Sequence, residues 1–101
     1  MNRKLPDKLE LELLQNKVDE ARADYCWANV GTYKDEDDRS TEDFKYIHYD
    51  KKMQWICGYC SALQLNIDDK NGYIRIYKGK RDIIKAKLYK SFEVWDREEQ
   101  Q

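Results

Sequence analysis

Two cysteines separated by two residues, Cys57 and Cys60, are the side chains best suited to chemistry. Such a pair supports dithiol redox exchange when its first cysteine begins a helix, because the unpaired N–H groups there lower the thiol pKa. Together with Cys26 and His48, the pair also completes a set of three cysteines and one histidine, which suits tetrahedral zinc. Redox exchange and zinc binding are the two chemistries that these residues offer.

The residues around the cysteine pair predict that it lies inside a helix. Apolar side chains recur at alternating intervals of three and four residues, the period of one buried helical stripe, at Tyr46, Tyr49, Met53, Ile56, Cys60, Leu63 and Ile67. A helix interior lacks the unpaired N–H groups that redox exchange needs, and the only proline, Pro6, offers no cis-proline opposite the thiols. Along such a helix the pair lies roughly 14 Å from His48, at about 1.5 Å per residue, which is awkward for zinc. We therefore predict space-filling cysteines, with zinc binding as the alternative.

No catalytic set is recognisable in the chain. The single histidine, His48, has no serine or cysteine nucleophile in a known motif with it. The acidic run 35–38 lacks the glycine and the bidentate glutamate of an EF-hand loop. The three cysteines are an odd number, which argues against a complete disulfide framework and fits a reducing compartment. We expect a cytoplasmic protein that is not an enzyme and carries no cofactor.

A second helical stripe precedes the first and predicts its packing partner. It consists of Leu11, Leu14, Val18, Ala21, Tyr25 and Ala28. An antiparallel arrangement in which facing residue numbers add to 74 sets Tyr25 against Tyr49 and mostly matches small side chains with large ones. Leu9 and Leu13 fall outside this stripe and predict a second buried face. Gly58 predicts the close approach of another element.

These elements predict an α+β fold in which an antiparallel two-helix hairpin is followed by a two-stranded antiparallel β-ribbon packed on it. One domain would cover residues 1–101. Helix 1 would span about residues 7–30, an acidic connector 31–40, and helix 2 about residues 41–65 with Ser40 as its N-cap. The ribbon would span about residues 73–95, and a solvated tail 96–101.

The ribbon starts with Tyr73–Lys78, in which apolar and polar residues alternate as in a half-buried strand. Pairing Lys78 with Asp82 sets Ile76 opposite Ile84 and Ile74 opposite Ala86.

Two alternatives to this arrangement stay open. Alternation at Leu63, Leu65 and Ile67 before the turn signal at 68–72 predicts a hairpin with Tyr73–Lys78, and a helix 2 that ends near Cys60. Residues 83–95 could instead be helical, with a stripe of Ile84, Leu88, Phe92 and Trp95.

The net charge of −1 conceals a strong asymmetry along the chain. From Asp7 to Asp43, twelve acidic residues oppose five basic ones, a net of −7. From Lys70 to Lys90, eight basic residues oppose Asp82 alone, a net of +7. No apolar run approaches the roughly 18 residues of a membrane span, so we expect no membrane association.

Charge asymmetry together with eight tyrosines and three tryptophans predicts a surface that binds another protein. The expected function is a small regulator or inhibitor, of a phage or mobile-element kind, whose partner belongs to a nucleic-acid-handling complex. The alternatives are a nucleic-acid-binding module that uses the basic ribbon and a zinc-stabilised domain. A homodimer through leftover apolar residues (Leu9, Leu13, Trp27, Trp55, Trp95) is also expected. The candidate partner-binding residues are Asp35, Glu36, Asp37, Asp38, Tyr73, Tyr77, Lys80, Arg81, Lys85 and Lys87.

Overall fold

A computed structural model describes residues 5–30 and 45–99. The described elements, in chain order, are α1 (Lys8–Asn29), α2 (Ile47–Ala62), β1 (Asn66–Asp68), β2 (Tyr73–Lys78), β3 (Arg81–Lys87) and α3 (Phe92–Glu99). The α+β class is therefore confirmed. The predicted acidic connector, with Asp35, Glu36, Asp37 and Asp38, and the predicted N-cap Ser40 lie outside the described residues.

Helix α1 begins where a reciprocal capping box forms. The Glu10 amide donates to the Asp7 carboxylate at 2.8 Å, and the Asp7 amide donates to the Glu10 carboxylate at 3.0 Å. Each bond satisfies an N–H group that the first helical turn leaves unpaired. The helix therefore starts within one residue of the predicted position.

Helices α1 and α2 pack against each other in antiparallel orientation. The rings of Tyr25 and Tyr49 lie 5.3 Å apart, as the predicted register requires. One helical turn further along, Lys52 donates to Glu20 at 2.8 Å. The core between the helices and the sheet is built from Leu14, Val18, Ala21, Tyr49, Ile56, Cys60, Leu63, Leu65, Ile74, Ile76, Ile84 and Ala86.

Helix α2 ends at Ala62, three residues before the predicted end. Gln64 adopts a left-handed conformation with φ of 61°, and the Leu65 amide donates to the Cys60 carbonyl at 2.8 Å. This is the geometry of a Schellman cap, in which a glycine usually occupies the left-handed position. Because Gln64 fills that position, the sequence carries no obvious stop signal, and the predicted helix runs too long.

Within residues 5–30 and 45–99 the sheet has three antiparallel strands in the order β1-β2-β3, so the predicted two-stranded ribbon is wrong. Residues of β1 pair with β2, with Ile67 opposite Ile76. The chain reverses between them at Asn71 and Gly72, whose φ values of 60° and 78° suit an Asn-Gly pair. The alternative prediction of a hairpin that ends in Tyr73–Lys78 is therefore correct. Its first strand is shorter than predicted, because Leu63 and Leu65 belong to the C-terminal cap of α2.

Strands β2 and β3 pair as predicted over most of their length. Ile76 lies opposite Ile84 and Ile74 opposite Ala86. The register shifts after Ile76, so that Lys78 pairs with Arg81 and not with Asp82 as expected. One extra residue, Ile83, is accommodated as a β-bulge. The two-residue turn at Gly79 and Lys80 uses a glycine φ of 60°, which suits a tight hairpin.

Residues 92–99 form helix α3, so the predicted strand to residue 95 is wrong. Residues 96–99 of the predicted solvated tail are exposed but helical, and 100–101 lie outside the described residues. The Val94 amide donates to the Ser91 hydroxyl at 3.2 Å, which gives α3 a serine N-cap. The alternative of one helix through 83–95 is also wrong, since Arg81–Lys87 is a strand. Residues 88–91 connect β3 to α3.

Two packing expectations for the helices fail. Leu9 is 77% exposed and Leu13 is 37% exposed, so the second buried face on α1 is not formed among the described residues. Gly58 is exposed, and no atom of the described residues lies within 4 Å of a Cβ built there. Gly58 therefore accommodates no neighbouring element that the structure describes.

Replacing Gly58 by alanine should raise the free energy of unfolding by about 0.5–1 kcal/mol, because alanine costs less backbone entropy in a helix interior. Urea denaturation followed by circular dichroism measures the change. Gly72→Ala is the matched control, and it should destabilise the protein because its φ of 78° strains a side chain. A destabilising Gly58→Ala would contradict the open environment described here.

Candidate functional site

The two faces of the sheet differ in chemistry. Ile74, Ile76, Ile84 and Ala86 point inward and are at most 7% exposed. Side chains alternate along a strand, so their neighbours point to the opposite side, away from the two long helices. The outer face of the sheet, as defined here, consists of Tyr73, Arg75, Tyr77, Lys85 and Lys87.

Each tyrosine of the outer face lies under a cation. The Arg75 guanidinium carbon is 4.1 Å from the centre of the Tyr77 ring. The Lys85 ammonium is 5.0 Å from the centre of the Tyr73 ring. Cation–π attraction fixes these side chains against the sheet. The face therefore presents two units of the same kind, each an aromatic ring with a positive charge above it.

Two carboxylates share the outer face with these cations. Asp82 lies opposite Tyr77 in the register and accepts a hydrogen bond from Arg75 at 2.9 Å, and Asp68 lies opposite Arg75. The Lys87 ammonium is 3.4 Å from a Glu98 carboxylate oxygen, and this charge raises the pKa of Lys87. These ion pairs are well exposed and contribute little to stability. Lys85 differs from Arg75 and Lys87, because its described contact is with the Tyr73 ring and not with a carboxylate.

Further positive charge lies at the β2–β3 turn, where Lys80 and Arg81 are exposed. From Asn66 to Lys90, eight basic residues oppose three acidic ones, a net of +5. In Lys8–Asn29, three basic residues oppose five acidic ones, a net of −2. The charge asymmetry of the sequence thus becomes, in the described residues, a difference between the sheet and the helix α1 beneath it.

The structure brings together the predicted site residues Tyr73, Tyr77, Lys85 and Lys87 on one face and sets Lys80 and Arg81 at its end. Arg75 belongs to the same face, although it was not among the predicted site residues. Its place on this face could be predicted from the sequence, because Tyr73, Arg75 and Tyr77 are alternate residues of one strand. Tyr89, two residues after the end of β3, is 7% exposed and is not part of the face.

Sequence patterns also missed Arg22, which is 5% exposed in the body of α1. Its Nε donates to the Lys87 carbonyl at 2.9 Å, one Nη donates to Asp19 at 3.0 Å, and the other pairs with Glu99. The guanidinium carbon lies 4.4 Å from the centre of the Trp95 ring. Arg22 therefore joins the end of β3 to helix α3. No sequence motif predicts this role.

Cys57 and Cys60 lie in the body of α2. Cys60 is buried and fills space as predicted, whereas Cys57 is exposed and does not. Burial raises the pKa of the Cys60 thiol to about 11, so at neutral pH it is protonated and a poor nucleophile. Cys26 is buried and donates through its Sγ to the Tyr89 carbonyl at 3.2 Å. Neither thiol of the pair lies at a helix N-terminus, as redox exchange would require.

Residues 5–30 and 45–99 contain no assembled zinc site. No three histidine, cysteine, aspartate or glutamate side chains in these ranges are placed to share a metal ion. Cys26, His48, Cys57 and Cys60 are not brought together. None of the helices described is long and apolar enough to cross a bilayer.

Of the five apolar residues expected at a homodimer interface, Trp95 is used within the chain, against Tyr89, Phe92 and Arg22. Trp27 is 42% exposed but packs against Phe92, with ring centres 4.7 Å apart. The homodimer stays a prediction.

Comparisons with known protein families, with characterised proteins and with solved structures found no match. Function is therefore inferred from the geometry of the outer face.

Proposed function

We propose that this protein is a non-enzymatic module that binds nucleic acid through the outer face of its sheet. The observation that carries the proposal is the pair of tyrosine–cation units, Tyr73 with Lys85 and Tyr77 with Arg75, on one solvent-facing surface. Lys80 and Arg81 extend the positive charge at the end of that surface.

The chemistry of these units matches the two parts of a nucleotide. Lysine and arginine bind phosphates and release condensed counterions, which supplies most of the affinity for a nucleic-acid backbone. Tyrosine rings stack on bases of any sequence, because every base has a π-face. A surface that repeats both groups therefore suits a repeating polymer of phosphates and bases.

The position of the helices removes one objection to this function. Clustered acidic residues repel a phosphate backbone when they lie on the same surface. Helix α1 carries a net charge of −2 and packs on the inner side of the sheet, behind Ile74 and Ile76. A strand that follows the outer face is separated from α1 by the sheet.

The test is fluorescence anisotropy with a labelled 20-nucleotide oligomer at low salt. We expect binding that weakens by about 3- to 10-fold in Lys85→Glu, since the variant loses one phosphate contact and gains a repulsive charge. Lys51→Glu is the matched control, because Lys51 is an exposed lysine of α2 and should change the affinity by less than about 2-fold. Equal loss in both variants, or no binding by the wild type, would refute the proposal.

Glu98 should weaken binding, because its carboxylate occupies Lys87. We expect Glu98→Gln to raise the affinity for the same oligomer by about 3-fold, as one phosphate-binding cation is released and one repulsive charge is removed. Glu93→Gln makes the same charge change at an exposed position of α3 and should have a smaller effect. If the two substitutions act equally, net charge alone matters and Lys87 does not bind phosphate.

A protein partner with an acidic surface is the second candidate, in keeping with a regulator or inhibitor. It is favoured by the carboxylates that the outer face already accepts within the chain, Asp82 on Arg75 and Glu98 on Lys87. Tyrosine and arginine are also enriched at protein interfaces. If no oligomer binds and a protein partner is lost from Lys85→Glu but kept by Lys51→Glu, this candidate replaces the first.

A further inference from the structure

We infer that the outer face is built for single-stranded nucleic acid, two bases of which stack on Tyr73 and Tyr77. This inference rests on the proposed function and goes further by naming the form of the ligand. It follows from the spacing of the two rings, the shape of the surface around them and the burial of the third tyrosine nearby.

The spacing of the rings does not fit a stacked helical strand. Tyr73 and Tyr77 are on the same face of β2 four residues apart, which corresponds to about 13 Å at roughly 3.3 Å per residue. Bases in a stacked duplex rise by about 3.4 Å each, so neighbouring bases cannot reach both rings without unstacking. A flexible single strand can open that distance, whereas in a duplex the base faces are already covered by their neighbours.

The width of the sheet at Tyr77 also argues against reading the base edges of a duplex. Where β1 pairs with Arg75–Tyr77, three strands at about 4.8 Å spacing make the sheet about 14 Å wide, while the major groove of B-DNA is about 12 Å wide. Strand β1 pairs with β2 as far as Tyr77, so the β2–β3 ribbon projects past it by little more than its turn. Neither the three-stranded part of the face nor that short turn can carry the Tyr77 ring into a groove.

The number of stacking positions is set by burial. The Lys87 ammonium lies 5.4 Å from the centre of the Tyr89 ring, which resembles a third unit. However, Tyr89 is 7% exposed and stacks on Trp95, with ring centres 6.3 Å apart, so a base cannot reach it. Tyr73 and Tyr77 are half-buried, so part of each ring stays accessible. These two rings take bases of any sequence, with the phosphates on Lys85 and the neighbouring cations.

The experiment compares labelled oligo(dT) and oligo(rU) of 20 nucleotides with a duplex of the same length, by anisotropy at one low salt concentration. We expect the single strands to bind at least 10-fold more tightly than the duplex. Tyr73→Ala and Tyr77→Ala should each weaken single-strand binding by about 5- to 100-fold, the range for one lost base stack. Tyr73→Phe and Tyr77→Phe keep the ring and should retain binding within about 2-fold.

The outcomes separate this inference from the proposed function. A duplex bound as tightly as the single strands, or alanine variants that keep wild-type affinity for them, would overturn the inference and leave phosphate binding by the face intact. Failure of every oligomer to bind would overturn both. The ratio of oligo(dT) to oligo(rU) affinity then tells whether DNA or RNA is the better ligand, and either ratio is compatible with stacking.

Discussion

Replacing Arg22 by methionine is expected to lower the free energy of unfolding by about 2–4 kcal/mol, the largest effect on stability that we predict for one substitution. Methionine keeps an apolar stem of similar length but removes every donor. The Lys87 carbonyl then loses its bond from Nε, and the ring of Trp95 loses the guanidinium beside it. Glu99 and Asp19 are partly exposed and can return to water, which keeps the cost below that of a fully buried ion pair.

The same substitution should release helix α3 from the body of the protein. None of the residues of α3 is fully buried, so its docking depends on contacts with Arg22, Trp27 and Tyr89. Limited proteolysis should cut the variant after Lys90 well before the wild type, and chemical denaturation measures the stability.

Lys17→Met is the matched control for Arg22→Met. Lys17 also lies over a tryptophan ring, 5.0 Å from Trp55, and also faces a carboxylate, yet it is much more exposed. It should cost less than about 1 kcal/mol. Similar effects of the two substitutions would show that the burial of Arg22 does not matter.

Reversing the charge of Lys80, Arg81 and Lys85 together should have the largest effect on binding. We expect the Glu triple variant to bind a single-stranded oligomer on the order of 100-fold more weakly at low salt, because three phosphate contacts become repulsive. Lys80 and Arg81 are exposed at the β2–β3 turn, and Lys85 is exposed with its ammonium 5.0 Å from the centre of the Tyr73 ring. The fold should persist, which circular dichroism and thermal unfolding verify.

The neutral triple variant, with glutamine at Lys80, Arg81 and Lys85, separates lost contacts from added repulsion. It should fall between the wild type and the glutamate variant in affinity. A glutamate variant that is folded and binds within about 2-fold of the wild type would mean that these cations do not contact phosphate.

The helices and the central strands follow from the sequence because their signals are local and repeated. Apolar spacing located α1 and the body of α2, and it placed Tyr25 against Tyr49. Alternation located β2 and the pairing of Ile76 with Ile84. In each case several residues indicate the same element, so the prediction does not depend on any single residue.

The errors occur where one residue or a distant contact decides the structure. Gln64 ends α2 in a conformation usually reserved for glycine, so the predicted helix runs to about residue 65 and strand β1 belongs only to the alternative hairpin prediction. Helix α3 contains only eight residues, and its docking depends on Arg22, which is far away in the sequence. Most of the candidate site was predictable because alternation placed tyrosines and cations on one face. Alternation places Arg75 on the same face, but its contact with the Tyr77 ring could not be read from the sequence.

The salt dependence of oligo(dT) binding tests the proposed function most directly. If Lys80, Arg81 and Lys85 contact phosphates, log Kobs should fall linearly with log[NaCl] with a slope of about −2, since each contact with a single strand contributes about 0.7. The slope should shrink in magnitude to less than about 1 in the neutral triple variant. A wild-type slope near zero, or no detectable binding at about 50 mM NaCl, would contradict a nucleic-acid interface on the outer face of this sheet.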